Sequence, residues 1–128
     1  MLTDTLPHAT LRLPADSSFL AVLRTATSGL AARLHFTLED IEDLRIAVDE
    51  ACALLIGQAR PGASLECSFW LGEATMTVQV GAPSDDPVAP SQQGFAWTVL
   101  SALTTTLSAE VEDDRLVIRL SRSVGQHP

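Results

Sequence analysis

The stretch Ile41–Gln58, IEDLRIAVDEACALLIGQ, decides how the chain is read. It is a long apolar helix that carries two acids, Asp49 and Glu50, at its middle. Beyond them ALLIGQ offers no side chain able to hold a metal ion or a phosphate. Upstream, Thr37 is a good N-cap. Asp40 lies three residues on with Glu39 beside it, so first-turn acids meet the positive end of the helix dipole. The helix is expected to run to about Ala59 and stop at the proline–glycine break ARPGA.

Before this helix, ATLRLP alternates apolar and polar residues and predicts a short strand ending at Pro14. Asp16, Ser17 or Ser18 then caps a first helix over Phe19–Leu34, with Phe19, Val22, Leu23, Ala26, Leu30 and Leu34 at helical spacing. After it, SLECSFWL and TMTVQV alternate around the turn GEA and predict a hairpin. GAPSDDPVAPSQQ holds three prolines in thirteen residues and reads as a loop of functional length. FAWTVLSALTTTL returns to helix, with Phe95, Val99, Leu100 and Leu103 as its apolar side. SAEVE and RLVIRLS close the chain as two strands around Asp113 and Asp114, with residues 123–128 as a loose tail. The order β-α-α-β-β-α-β-β implies one α+β domain over residues 1–128. It is a two-layer sandwich with a mixed, mostly antiparallel sheet and helices on one face.

Sixteen acids against eight bases give a net charge of −8, which argues against direct binding to a polyanionic nucleic acid and suits a basic protein partner. Apolar residues make up 46% of the chain, enough for a core, yet no segment reaches the roughly 18 uninterrupted apolar residues of a membrane span. The N-terminus lacks the charged and apolar regions of a signal peptide, so a cytoplasmic location is expected, with Cys52 and Cys67 as reduced, buried thiols. The three histidines, His8, His35 and His127, lack metal-ligand spacing.

The run RTATSGLAARLHFTLEDIEDLRIAVDEACALLIGQA resembles the first half of an RsbW-type anti-sigma factor, a small regulator with the GHKL ATPase fold. The resemblance implies capture of an alternative sigma factor by a homodimer. In many members it also implies ATP-dependent phosphorylation of a STAS-domain anti-anti-sigma protein. Three motifs carry that chemistry, and this chain departs from each. On the second helix the family has Glu, then Asn for Mg²⁺, then often His, at spacings of four that share one helix face. Here these positions hold Glu50, Leu54 and Gln58. After the second hairpin strand an Asp reads adenine, and that position falls on or near Ala82, with Asp85 and Asp86 arriving late. At the last helix a Gly-x-Gly turn that would hold phosphates is reduced to Gly94-Phe95-Ala96, and no lysine or arginine lies between Gly72 and Arg115.

The expectation is therefore a stress-response regulator without kinase activity, in which Glu50 is a relic and neither ATP nor a metal is bound. Its partners would be a sigma factor, a STAS antagonist and a second copy of the chain. The resemblance places partner contacts at Arg24 in the first helix, and the acids Glu39, Asp40 and Asp43 are a second candidate surface. Leu11 and Leu13, beside the apolar first helix, suggest the dimer seam. The alternative is an active serine kinase of the same type; a third reading is a general interaction module on the same fold.

Overall fold

Thr37 does start the second helix. In the computed structural model, which describes residues 6–124, Thr37 Oγ1 accepts from the Asp40 amide at 3.0 Å and the Asp40 carboxylate reaches back to the Thr37 amide at 3.2 Å. This reciprocal capping box satisfies donors that a helix start leaves open. The elements in chain order are β1 (Ala9–Pro14), α1 (Leu20–Ala31), α2 (Leu38–Ile56), β2 (Ser64–Leu71), β3 (Thr75–Pro83), α3 (Phe95–Leu103), β4 (Thr106–Glu112) and β5 (Arg115–Ser123). Asp16 caps a short 3-10 turn, Ser17–Phe19, that leads into α1. The expected tail begins later than the sequence suggests: Ser123 ends β5, and the Val124 amide bonds the Ala74 carbonyl at 2.8 Å. The remaining tail, 125–128, lies outside the described residues, as does His127.

The five strands form one open sheet in the order β1-β2-β3-β5-β4. All four pairings are antiparallel, in line with the mostly antiparallel sheet expected: neighbouring strands either join by tight turns or reverse direction across the helical crossovers. One sheet face carries Leu65, Cys67, Phe69, Met76, Val78, Val80, Ala82, Leu116, Ile118 and Leu120 into the core beneath the helices. The opposite face is polar but for Trp70 and Val117, with Arg119 stacked 4.7 Å over the Trp70 ring.

Two apolar faces differ from expectation. On α1 the buried stripe is Leu20, Leu23, Thr27 and Ala31, while Val22 faces outward at 48% exposure. Thr27 is buried without polar cost because its hydroxyl donates to the Leu23 carbonyl at 2.8 Å. On α3 the buried residues are Trp97 and Leu100, and Phe95 is 84% exposed. FAWTVLSAL is apolar nearly all round, so periodicity alone does not select the inner side.

The first turn of α2 is tied to the far end of the chain. Arg122 on β5 donates to Asp40 Oδ1 through Nε at 3.2 Å and Nη2 at 3.0 Å, to Asp43 at 3.1 Å, and through Nη1 to the Leu103 carbonyl at 2.9 Å. One buried guanidinium thus serves the acidic start of α2 and the carbonyl-bearing end of α3.

Candidate functional site

The motif positions on α2 do not gather polar groups for a nucleotide. Glu50 is half-buried, and among the described residues its side chain makes neither a hydrogen bond nor an ion pair. Leu54 is half-buried and packs against the core. Gln58 is already engaged. Its Nε2 donates to the Val88 carbonyl at 2.7 Å and its Oε1 accepts from the Val88 amide at 2.8 Å. The carboxamide behaves as a peptide group and fastens the loop after β3 onto the end of α2.

Ala82 is not in a loop. β3 extends three residues beyond TMTVQV, and Ala82 sits within it opposite Leu116, 1% exposed. Asp85 is exposed and bonded to Arg60 Nε at 2.9 Å, while Arg60 Nη2 reaches Asp114 at 2.8 Å. The backbone repeats this tie, with Arg60 N on the Pro83 carbonyl at 2.9 Å and Ser84 N on the Asp114 carbonyl at 2.7 Å. Gly94 is the N-cap of α3 at φ −80°, ψ 161°, an extended conformation open to any residue, and Ala96 lies partly buried in the first turn.

Asp114's carboxyl is held below its ordinary 3.8 by the hydrogen bond from Arg60, which outweighs a small desolvation effect. Its contribution to the tie is therefore present above the unfolded value and lost as pH falls through the depressed one, below about 3.8. Limited proteolysis of the 84–93 loop against pH is expected to accelerate below that point in the natural chain. In Asp114→Asn it should be fast at every pH.

Cys52 and Cys67 are buried, as expected. The hydrogen bond with Cys67 and burial push the Cys52 thiol well above its usual range, which suits an unreactive thiol. Among the described residues no cluster of three or more His, Cys, Asp or Glu side chains is arranged to hold a metal ion, and no helix is long and apolar enough to cross a membrane.

The partner-contact candidates separate into two groups. Asp40 is fully buried against Arg122, so it is corrected from a surface contact to an internal one; Asp43, also bonded to Arg122, is a quarter exposed, and Glu39 is exposed. Arg24 is half-exposed and donates through Nε to Asp49 at 2.7 Å, joining α1 to α2. Beside it lies a concavity of about 580 Å³ lined by Ala21, Arg24, Thr25, Ser28, Gly29 and Arg45. Sequence reading missed Arg45 and the Asp49 partnership. The visible signal was an acid in the middle of an apolar helix, without an indication of what faced it.

The sequence matches several proteins named serine-protein kinase RsbW. That of Halalkalibacterium halodurans is 42% identical over 71 residues, 55% of this chain and 44% of the relative. Over the matched residues the chain is similar to RsbW. The RsbW of Bacillus velezensis is 34% identical over 58 residues, 45% of this chain and 36% of the relative, and that of Bacillus pumilus 34% over 61, or 48% and 38%. The match thus spans less than half the length of each RsbW relative. No protein-family model matches the chain. The RsbW-like sequence and the five-stranded sheet with three helices agree with a GHKL-like two-layer sandwich.

Proposed function

We propose that the chain is an anti-sigma factor that holds an alternative sigma factor by direct contact, as a cytoplasmic stress regulator, and is released by a STAS antagonist without phosphoryl transfer. The observation carrying this reading is that the positions expected to hold Mg-ATP are engaged elsewhere: Leu54 with the core, Gln58 with Val88, and Ala82 inside the sheet. Mg-ATP does not fit this residue set. Leu54 has no oxygen for a cation, and its partly buried hydrocarbon side chain packs on the core instead. A homodimer is supported by an apolar groove of about 320 Å³ between edge strand β1 and α1, with Leu11, Leu30 and Phe69 in its lining. Leu13 is only partly buried on the same strand.

Calorimetry with Mg-ATP is expected to show no saturable heat, while a cognate sigma factor co-purifies with the chain. Micromolar, Mg²⁺-dependent nucleotide binding would overturn the reading. The relatives are named serine-protein kinases, which favours a second reading, an ATP-dependent serine kinase; its substrate would be the STAS antagonist. Label transfer from ATP to such a protein, abolished by Glu50→Ala, would establish it.

A further inference from the structure

We propose that the free edge of β4 is a docking site for an extended segment of a protein partner, one that alternates basic and apolar residues and joins the sheet as a sixth strand. The sheet ends at β1 on one side and at β4 on the other. β1 finishes in Pro14 and borders the groove proposed above as the seam of a homodimer, so β4 is the edge left open. Its seven residues, TLSAEVE, run against β5 in unbroken register from Thr106↔Ser121 to Glu112↔Arg115.

That register fixes which main-chain groups are free. Glu112 and Arg115 flank the two-residue turn Asp113–Asp114. The pair flanking such a turn is the hydrogen-bonded one, and hydrogen-bonded pairs alternate along an antiparallel ladder. The N–H and C=O groups of Thr106, Ser108, Glu110 and Glu112 therefore point to β5, and those of Leu107, Ala109 and Val111 point away from the sheet. Among the described residues, no main-chain bond from outside the ladder reaches these three. Proteins commonly guard a free edge with proline, lysine or a bulge. β4 has neither proline nor lysine, and no bulge interrupts Thr106–Glu112.

The side chains define what fits. Leu107, Ala109 and Val111 lie opposite Leu120, Ile118 and Leu116 on the core-facing side, and Val111 is 45% exposed. α3 packs on β4 and has no charged residue, so apolar side chains of an added strand continue this row beside an uncharged helix. On the outer face Glu110 and Glu112 are exposed, and neither is in an ion pair among the described residues. The arginines across the ladder are engaged elsewhere, Arg115 with Glu66 at 2.9 Å and Arg119 with Gln79 and the Trp70 ring. Opposite an added strand, Glu110 and Glu112 fall in the non-hydrogen-bonded pairs, where side chains come closest. A lysine or arginine facing each makes a cross-strand ion pair. Main-chain bonds then supply affinity and the alternation supplies specificity. A second copy of β4 fits less well. Antiparallel pairing over Ala109–Val111 puts glutamates of the two copies opposite or diagonal to one another, and like charges facing across a ladder are destabilising.

The test is a titration of the nitrogen-labelled chain at low salt with a synthetic seven-residue peptide alternating lysine and valine. One control peptide holds the same residues as a lysine block and a valine block, and another alternates glutamate and valine. The amide signals of Leu107, Ala109 and Val111 should shift saturably, and their hydrogen exchange should slow, with the alternating basic peptide alone. Glu110→Gln combined with Glu112→Gln should weaken binding about fivefold. Ala109→Pro removes an outward N–H that the β4–β5 ladder does not use, so it should weaken binding about tenfold in a chain whose fold is checked by circular dichroism. Equal binding of the block peptide, shifts that miss the three amides, or unchanged affinity in the glutamine double variant would overturn the proposal. So would a lower oligomeric state of the chain alone on Ala109→Pro, which would assign the edge to a second copy. The site stands apart from sigma capture, and the synthetic probe leaves that function to its own assay.

Discussion

Arg122→Ala is expected to destabilise the protein by about 3–5 kcal/mol, the usual penalty for removing one partner of a buried ion pair. Arg122 is 4% exposed and Asp40 is fully buried, so water cannot replace the lost guanidinium without opening the structure. Asp40 would keep its bonds from the Thr37 amide and hydroxyl, but Oδ1 would lose two donors. The loss extends further. Asp43 loses a cation at 3.1 Å and the last carbonyl of α3 loses its donor. Domains of this size are stable by about 5–15 kcal/mol, so the variant should lose a large share of its stability. In urea the midpoint should fall by about 2 M, taking a slope of about 2 kcal/mol per molar. Arg119→Ala is the matched control, because its stacking on Trp70 is worth about 0.5–1 kcal/mol at a partly exposed site. Should Arg122→Ala shift the midpoint no further than Arg119→Ala, the buried pair does not secure the start of α2.

That pair also shows where sequence reading stops. Thr37 and Asp40 are three residues apart, and a cap is a local event, so the start of α2 was legible. The partner of Asp40 lies 82 residues away on β5, and only the register of β3 on β5 and of β4 on β5 brings it there. An acid in a first helical turn is most simply a solvated one, and nothing local to Asp40 signals its burial. The alternating strands were legible for the opposite reason: one buried face imposes a period of two on each strand. The end of β3 was not, because Gly81 and Pro83 are weak strand residues and the pairing of Ala82 with Leu116 overrides them.

The candidate site divides in the same way. Leu54 could be judged from its own chemistry, since a hydrocarbon cannot ligate a metal anywhere. Gln58 could not. Whether its carboxamide faces solvent, a ligand or another backbone depends on where the loop around Val88 lies, and the prolines that exclude periodic structure there do not say where the loop goes. Arg24 and Asp49 are 25 residues apart on two helices, and the rotation of each helix decides whether they meet.

The sharpest measure of whether a nucleotide position survives is Ala82→Asp, which places a carboxylate where the resemblance puts the adenine-reading residue. Ala82 is 1% exposed within the core-facing row of Met76, Val78 and Val80. Its neighbours on that face are hydrocarbon, so a charge there has no partner, and a loss of about 3–5 kcal/mol is expected at pH 7. The pH dependence carries the diagnosis. Burial raises a carboxyl's folded pKa above its unfolded value of about 3.9, so the folded state binds the extra proton first. The penalty is then fully felt above the raised folded value and relieved as pH falls through it toward about 4, opposite in sign to the Asp114 tie. A water-lined nucleotide cleft would instead solvate the new carboxylate, with a cost under about 1 kcal/mol and little slope between pH 7 and 5. Denaturation of Ala82→Asp at those two pH values therefore distinguishes a sheet core closed over this position from a cleft that has merely lost its ligands.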